Sequence, residues 1–343
     1  MKFSSLLSIN AAGATCLSMT LALALAPATA GAQDPKLTFA VPGIPPVFAS
    51  VIAMVADKEG FFKKHGVDVD VRAFETGAAA SRAVAGGEIA MALSPSPLVV
   101  SQVSNSDVNL VGIYGLEHPD WLIGSTDPNA SCQTIKGQPV GVDAVGGARS
   151  IALKTMLIGG CKLTIDDVQQ VALSSNVAPA MVAGQLKYGA LHIDDVAVIE
   201  AQTGKPVKTV VTQETSRPLD HYMLVVVNKD KLAKNRDAYV RAVAGLIDAE
   251  RFMRNPANAA KVAQDAKPTG HSIPQAESAL KAYLAMGFWP NDTAGLTEKN
   301  LDLLGKVMKN VGNIKPDKQP APYDRIADPS VWRDAMKMVD AGK

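Results

Sequence analysis

The chain has 343 residues, 34 of them basic and 33 acidic, for a formal net charge of +1. Phosphate binding needs a concentrated basic stripe and none is visible, so a nucleic-acid surface is excluded. The length exceeds what one ordinary core accommodates and suits two units of roughly 100 to 200 residues each.

Lys2 is followed by no charge until Asp34, and the apolar run LSMTLALALA precedes Pro27 and the small-residue sequence ATAGAQ. This predicts a signal peptide over residues 1–32, cut after Ala30 or Ala32, and therefore an exported protein. An uncleaved anchor is the alternative, although the apolar core is short for a membrane span. Cys16 leaves with the leader.

The apolar period then switches repeatedly between about two and about 3.6, which argues for an α/β architecture. Strands are predicted at KLTFAV, VDVDVRAF, EIAMAL, VNLVGIY, PVGVD, VQQVAL, VAVIE, KTVVT and MLVVVN, with helices between them at Ala78 to Ala85 and Ser150 to Ile158. From Lys231 the character becomes helical. Val240, Val243, Ala244 and Ile247 mark one face of a long helix, a second starts near Ser272 with Pro274 in its first turn, and a third runs from Glu298 to Asn310.

Two cysteines remain in the exported part, Cys132 and Cys161. An even number of thiols outside the cytoplasm predicts that they pair, closing a loop of about 29 residues at about 3 kcal/mol in the chain-entropy model. Two buried free thiols are the alternative, and the spacing fits no zinc motif.

The stretch from Ser50 to Val99, SVIAMVADKEGFFKKHGVDVDVRAFETGAAASRAVAGGEIAMALSPSPLV, reads as helix, turn, strand, glycine-started helix, strand and proline-rich helix start. That order closely resembles the opening of the ABC-transporter solute-binding proteins of the sulfonate, nitrate and thiamine-pyrimidine type, the NMT1/THI5-like group. The segment NKDKLAKNRDAYVRAV…FMRNPANAAKVA is similar to the helical element that in this group packs back on the first lobe. The resemblance implies a two-lobed periplasmic binding protein fold (type II), with a ligand cleft between lobes and a mostly helical C-terminal segment. It implies lobe I at 33–122 and 222–343 and lobe II at 123–221. The expected protein is a periplasmic monomer that takes a small-molecule ligand to an ABC permease in the inner membrane, without a cofactor.

In open α/β sheets, ligands bind beyond the carboxyl ends of the strands, near helix N-termini. Four turns qualify. VPGIPPVFAS offers Pro42, Gly43 and Phe48; ETGAAAS offers Thr76, Gly77 and Ala78; SPSP offers Ser94 or Ser96 as a helix cap; and VGVDAVGGARS offers Gly147, Arg149 and Ser150. Each also has a reading as an ordinary turn. Arg149 in a first helical turn opposes the macrodipole, so it either reaches an anion in the cleft or pairs with Asp143 or Asp166. Trp121 either stacks on a flat ligand or packs the hinge. Ser174, Ser175 and Asn176 follow a strand and offer hydrogen bonds from the second lobe. In LKYGALHIDDVAVIEAQ, His192 is expected to touch ligand and Asp194 to contact it or cap a helix. A His-x-Asp-Asp metal site is the lesser reading, and no metal is expected.

Catalytic motifs are missing: there is no Gly-x-Ser-x-Gly, phosphate loop, Gly-x-Gly-x-x-Gly or His-Glu-x-x-His. The resembled superfamily contains a pyrimidine synthase with an iron-binding, cysteine-rich motif that has no counterpart here, so a non-enzyme is expected. Loop amides and Arg149 favour a small organic carboxylate or sulfonate, aromatic ones included. A thiamine-precursor pyrimidine or related heterocycle is the second choice, and a sensory role is the alternative to uptake.

Overall fold

Apolar runs short enough for strands fall into two separate sheets. The computed structural model describes residues 36–174, 177–217 and 221–342, so the leader expected at 1–32 lies outside the described residues. The first sheet contains β1 (Lys36–Pro42), β2 (Asp68–Phe74), β3 (Met91–Pro95) and β4 (Leu110–Leu116). The second contains β5 (Trp121–Ser125), β6 (Pro139–Val142), β7 (Gln169–Ala172), β8 (Tyr188–His192) and β9 (Lys208–Thr212). Strand β10 (Met223–Asn228) returns to the first sheet.

The orders are β2-β1-β3-β10-β4 and β7-β6-β8-β5-β9. In each sheet four strands point the same way, three of them paired side by side in parallel. The strand that has just arrived from the other sheet, β10 or β5, lies antiparallel to both its neighbours. Antiparallel insertion puts the starts of β5 and β10 at the same edge as the ends of the parallel strands. The loops that follow the parallel strands therefore gather on one edge of each sheet, together with the starts of β5 and β10.

The chain changes sheet in the short connection between Leu116 and Trp121, and again between Thr212 and Met223. The first change comes just ahead of the boundary expected at 122/123, because Trp121 and Leu122 already pair with His192 and Leu191. VAVIE, expected as a strand, lies in the helix Ile193–Thr203, and the strand is YGALH just before it. Its β-branched residues mislead because Ile199 is buried on a helical face, while all five residues of YGALH are buried, as a central strand requires.

The helix Arg236–Arg254 packs on Ser330–Ala341 and on Val51–Lys58, which ties the C-terminal segment to the first sheet. The helix Ile273–Ala285, with Pro274 in its first turn, also touches Ile193–Thr203 beside the second sheet. On the other flank, Ile151 sits in a cluster with Val99, Val100, Leu224 and Leu304 around the first sheet. Cys132 and Cys161 form a disulfide with Cα atoms 5.2 Å apart. No helix among the described residues is long and apolar enough to cross a membrane.

Candidate functional site

The facing edges border a cavity of about 50 Å³ that is open where Glu75 is exposed, with room for a few waters or a small ion without further opening. From the first sheet come Pro42 and Gly43 after β1, Glu75 to Gly77 after β2, Pro95 at the end of β3, and Tyr222 and Met223 at the start of β10. From the second come Asp143 and Arg149 after β6, Ser174 after β7, His192 at the end of β8 and Trp121 at the start of β5.

Of the residues expected from sequence, Pro42, Gly43, Thr76, Gly77, Trp121, Arg149 and His192 line this cavity. Ser175 and Asn176 lie outside the described residues. The remainder are placed elsewhere. Phe48 is fully buried against Tyr283 and His271, and Ala78 sits in the first turn of the helix Gly77–Ala85. Ser94 Oγ is 2.6 Å from Ser81 Oγ, and Ser96 Oγ is 2.6 Å from His221 Nδ1, so neither hydroxyl caps the helix Ser96–Asn105. Burial pushes the His221 imidazole down to about 4, and the neutral ring takes the Ser96 hydrogen bond on one nitrogen while lying 2.7 Å from Gly295 O on the other.

Arg149 is committed inside its own lobe. Nη1 donates to Asp195 Oδ2 at 2.9 Å and to Ala190 O at 2.6 Å, and the guanidinium lies 5.4 Å from the Trp121 ring centre. The partner is thus Asp195 rather than Asp143 or Asp166, because β8 and the start of the helix after it bring Ala190 O and Asp195 to the guanidinium. Asp143 serves the backbone instead: it accepts from Ala144 N, Ala148 N and Arg149 N at 2.8, 2.8 and 3.1 Å. A side chain at Gly147 would place Cβ 2.6 Å from this carboxylate, so only glycine allows the approach. Ser150 Oγ accepts from Gly146 N and bonds Gln170. The second lobe's helix N-terminus is therefore filled by the protein's own carboxylate.

Behind His192 lies a buried network that the sequence did not reveal. His192 Nδ1 is 2.8 Å from Asp120 Oδ2 and 3.3 Å from the Tyr222 hydroxyl. Tyr283 OH bonds Asp120 and is 2.7 Å from Asp194 Oδ1. Its one hydrogen can serve only one carboxylate at a time. Asp195, not Asp194, caps the helix, accepting from His192 N at 2.9 Å. His271 Nε2 lies 3.2 Å from Asp194 Oδ2, an ion-pair distance without hydrogen-bond alignment. Burial works against the His192 imidazolium, but the Asp120 carboxylate outweighs it and the pKa is raised. Burial likewise disfavours the Asp194 anion, yet the His271 contact and the nearby imidazoles hold that carboxyl down at about 2.

Among the described residues, Asp120, His192 and Asp194 are the group that could hold a metal ion: their potential ligand atoms lie within 4.8 Å of one another and all three are buried. Here those atoms face one another and Tyr283. Besides this network, sequence reasoning missed Glu75 and Tyr222 as cavity residues, whereas Ser174, expected to offer hydrogen bonds after its strand, does line the cavity. Glu75 was legible, since it directly precedes the Thr76-Gly77 turn. Tyr222 depends on the return of the chain to the first sheet.

Two sheets of this order meeting edge to edge around a cavity define the periplasmic binding protein fold, which the solved structures similar to this chain share. A family model described as NMT1/THI5 like matches residues 48–259, and the chain belongs to that family. Brucella abortus has a curated relative, described as a binding protein, that is 23% identical over 240 residues, 69% of this chain and 73% of its own. The periplasmic nitrate-binding protein NrtA from Synechocystis PCC 6803 superposes with a TM-score of 0.73 at 11% identity, over 89% of each chain. The alkanesulfonate-binding protein SsuA from Xanthomonas axonopodis pv. citri, bound to MOPS, gives 0.67 at 13% identity, covering 85% of this chain and 98% of that one.

Proposed function

We propose that this protein is the extracytoplasmic solute-binding component of an ABC importer. In this reading it is a periplasmic monomer that closes two lobes, one on each sheet, around a small solute and delivers it to an inner-membrane permease. The observation that carries the reading is the cavity itself, lined from the ligand-binding edges of both sheets by loops that ten strands bring together. Packing of Ile151 from the second lobe into the cluster around the first sheet supports a closed form that a bridging ligand would stabilise. The fold relatives that bind nitrate and alkanesulfonate support solute capture rather than catalysis.

Two ligand classes come from the sequence. An organic carboxylate or sulfonate draws support from the helix Gly77–Ala85, whose N-terminus borders the cavity. A nitrogen-bearing heterocycle draws support from Glu75 at the rim. Small-angle scattering tests the capture step: a solute found by thermal shift should contract the radius of gyration, and a tight ligand that leaves it unchanged would sink hinged closure.

A further inference from the structure

We propose that the solute is a small organic cation with N–H donors, of the ammonium, amidinium or guanidinium class, held by Glu75; this rests on the solute-capture reading and names its ligand. The first argument is the charge around the cavity. Among the described residues that line it or bond directly to its lining, the carboxylates are Glu75, Asp143, Asp120 and Asp195. The cationic groups are Arg149 and, when protonated, His192. Negative groups outnumber positive ones whichever form His192 takes, and a low-dielectric cleft focuses that sign on whatever enters.

The second argument is that the anion-attracting devices of the second lobe are already in use. Arg149 gives Nη1 to Asp195 and Ala190, and the amides of Ala148 and Arg149 point to Asp143. On this lobe an entering carboxylate would have to displace an internal one, which leaves the N-terminus of the helix Gly77–Ala85 as the remaining anion-attracting feature of the cavity.

Glu75 differs from the other three carboxylates. It is exposed just past the end of β2, and among the described residues its side chain accepts a long hydrogen bond, 3.5 Å from Ser174 Oγ of the opposite sheet. A donor-bearing cation beside it would meet an accessible acceptor on one lobe and the Ser174 hydroxyl on the other, and so would bridge the lobes. A metal ion is a poorer fit at this rim, because Asp143 spends its oxygens on three amides and one carboxylate does not make a coordination shell.

The test uses isosteric pairs of opposite charge, guanidinium with nitrate and benzamidinium with benzoate, titrated calorimetrically into the full exported chain alongside Mg²⁺ and Zn²⁺. The expected result is that each cation binds at least tenfold tighter than its anionic partner, that Glu75→Gln removes at least tenfold of the cation affinity, and that anion affinity does not fall. Glu75 lies on an exposed loop, and an unchanged melting temperature checks that the variant folds. Anions binding tighter, a metal ion binding tighter than either organic cation, or a Glu75→Gln protein that keeps the preference would overturn the inference. Anion binding with contraction in scattering would leave solute capture standing, whereas no binding by these probes or by a wider solute panel would remove both.

Discussion

His192 Nδ1 stands 2.8 Å from Asp120 Oδ2, and the contact joins the end of β8 to the short connection by which the chain first leaves one sheet for the other. Both side chains are buried. Tyr283 reaches the same carboxylate from the C-terminal helical segment. One aspartate thus holds a strand end, the crossover and a distant helix in register.

Asp120→Ala should therefore be costly. It leaves His192 and Tyr283 facing a space without their shared acceptor, and losing one partner of a buried charged pair costs about 3–5 kcal/mol. Urea denaturation checks this. A midpoint within experimental error of the parent would mean that the network relaxes freely.

Arg149→Ala removes the donor that Asp195 and Ala190 O share. A buried group left unsatisfied costs about 1–3 kcal/mol, more when charged. The loss should appear as lower stability in the protein without solute. Arg149→Ala protein with unaltered stability but a lost anion affinity would instead mark the guanidinium as a ligand contact.

Stability should fall as pH rises from about 4.5 to 7 through Glu250. Burial pushes its carboxyl up to about 7 from an ordinary 4.5, against the opposing hydrogen bonds of Tyr114 and Arg254. The folded state holds this proton more tightly than the unfolded one, so the contribution is complete below pH 4.5 and lost as pH passes 7. It amounts to about 3 kcal/mol. Glu250→Gln should flatten this part of the stability profile relative to the parent; parallel profiles for the two proteins would refute the assignment.

Reduction of the Cys132–Cys161 bridge opens a loop with a sequence separation of 29. The chain-entropy model puts the cost at about 3–4 kcal/mol. A Cys132→Ser, Cys161→Ser protein should melt several degrees lower, and equal melting temperatures would show that the unfolded chain is already constrained there.

Sequence alone determined most of the scaffold. The strands KTVVT and MLVVVN and the helix Glu298–Asn310 occupy the residues expected of them, because local periodicity and capping residues act within a few positions. The cysteine pair followed from expected export and parity. The turns at Gly43, Thr76 and Arg149 were visible as glycine, proline and helix-start signals, and loops of that kind do line the cavity. Tertiary structure decided what those side chains do. Arg149 found Asp195 at 46 positions' separation, and Asp120 found Tyr283 at 163. Electrostatic and hydrogen-bond partners of that kind are set by which strands become neighbours, and a pattern read along the chain carries no record of them. For the same reason VAVIE read as a strand: its β-branched residues suit either element, and burial on a helical face beside β8 settled the choice.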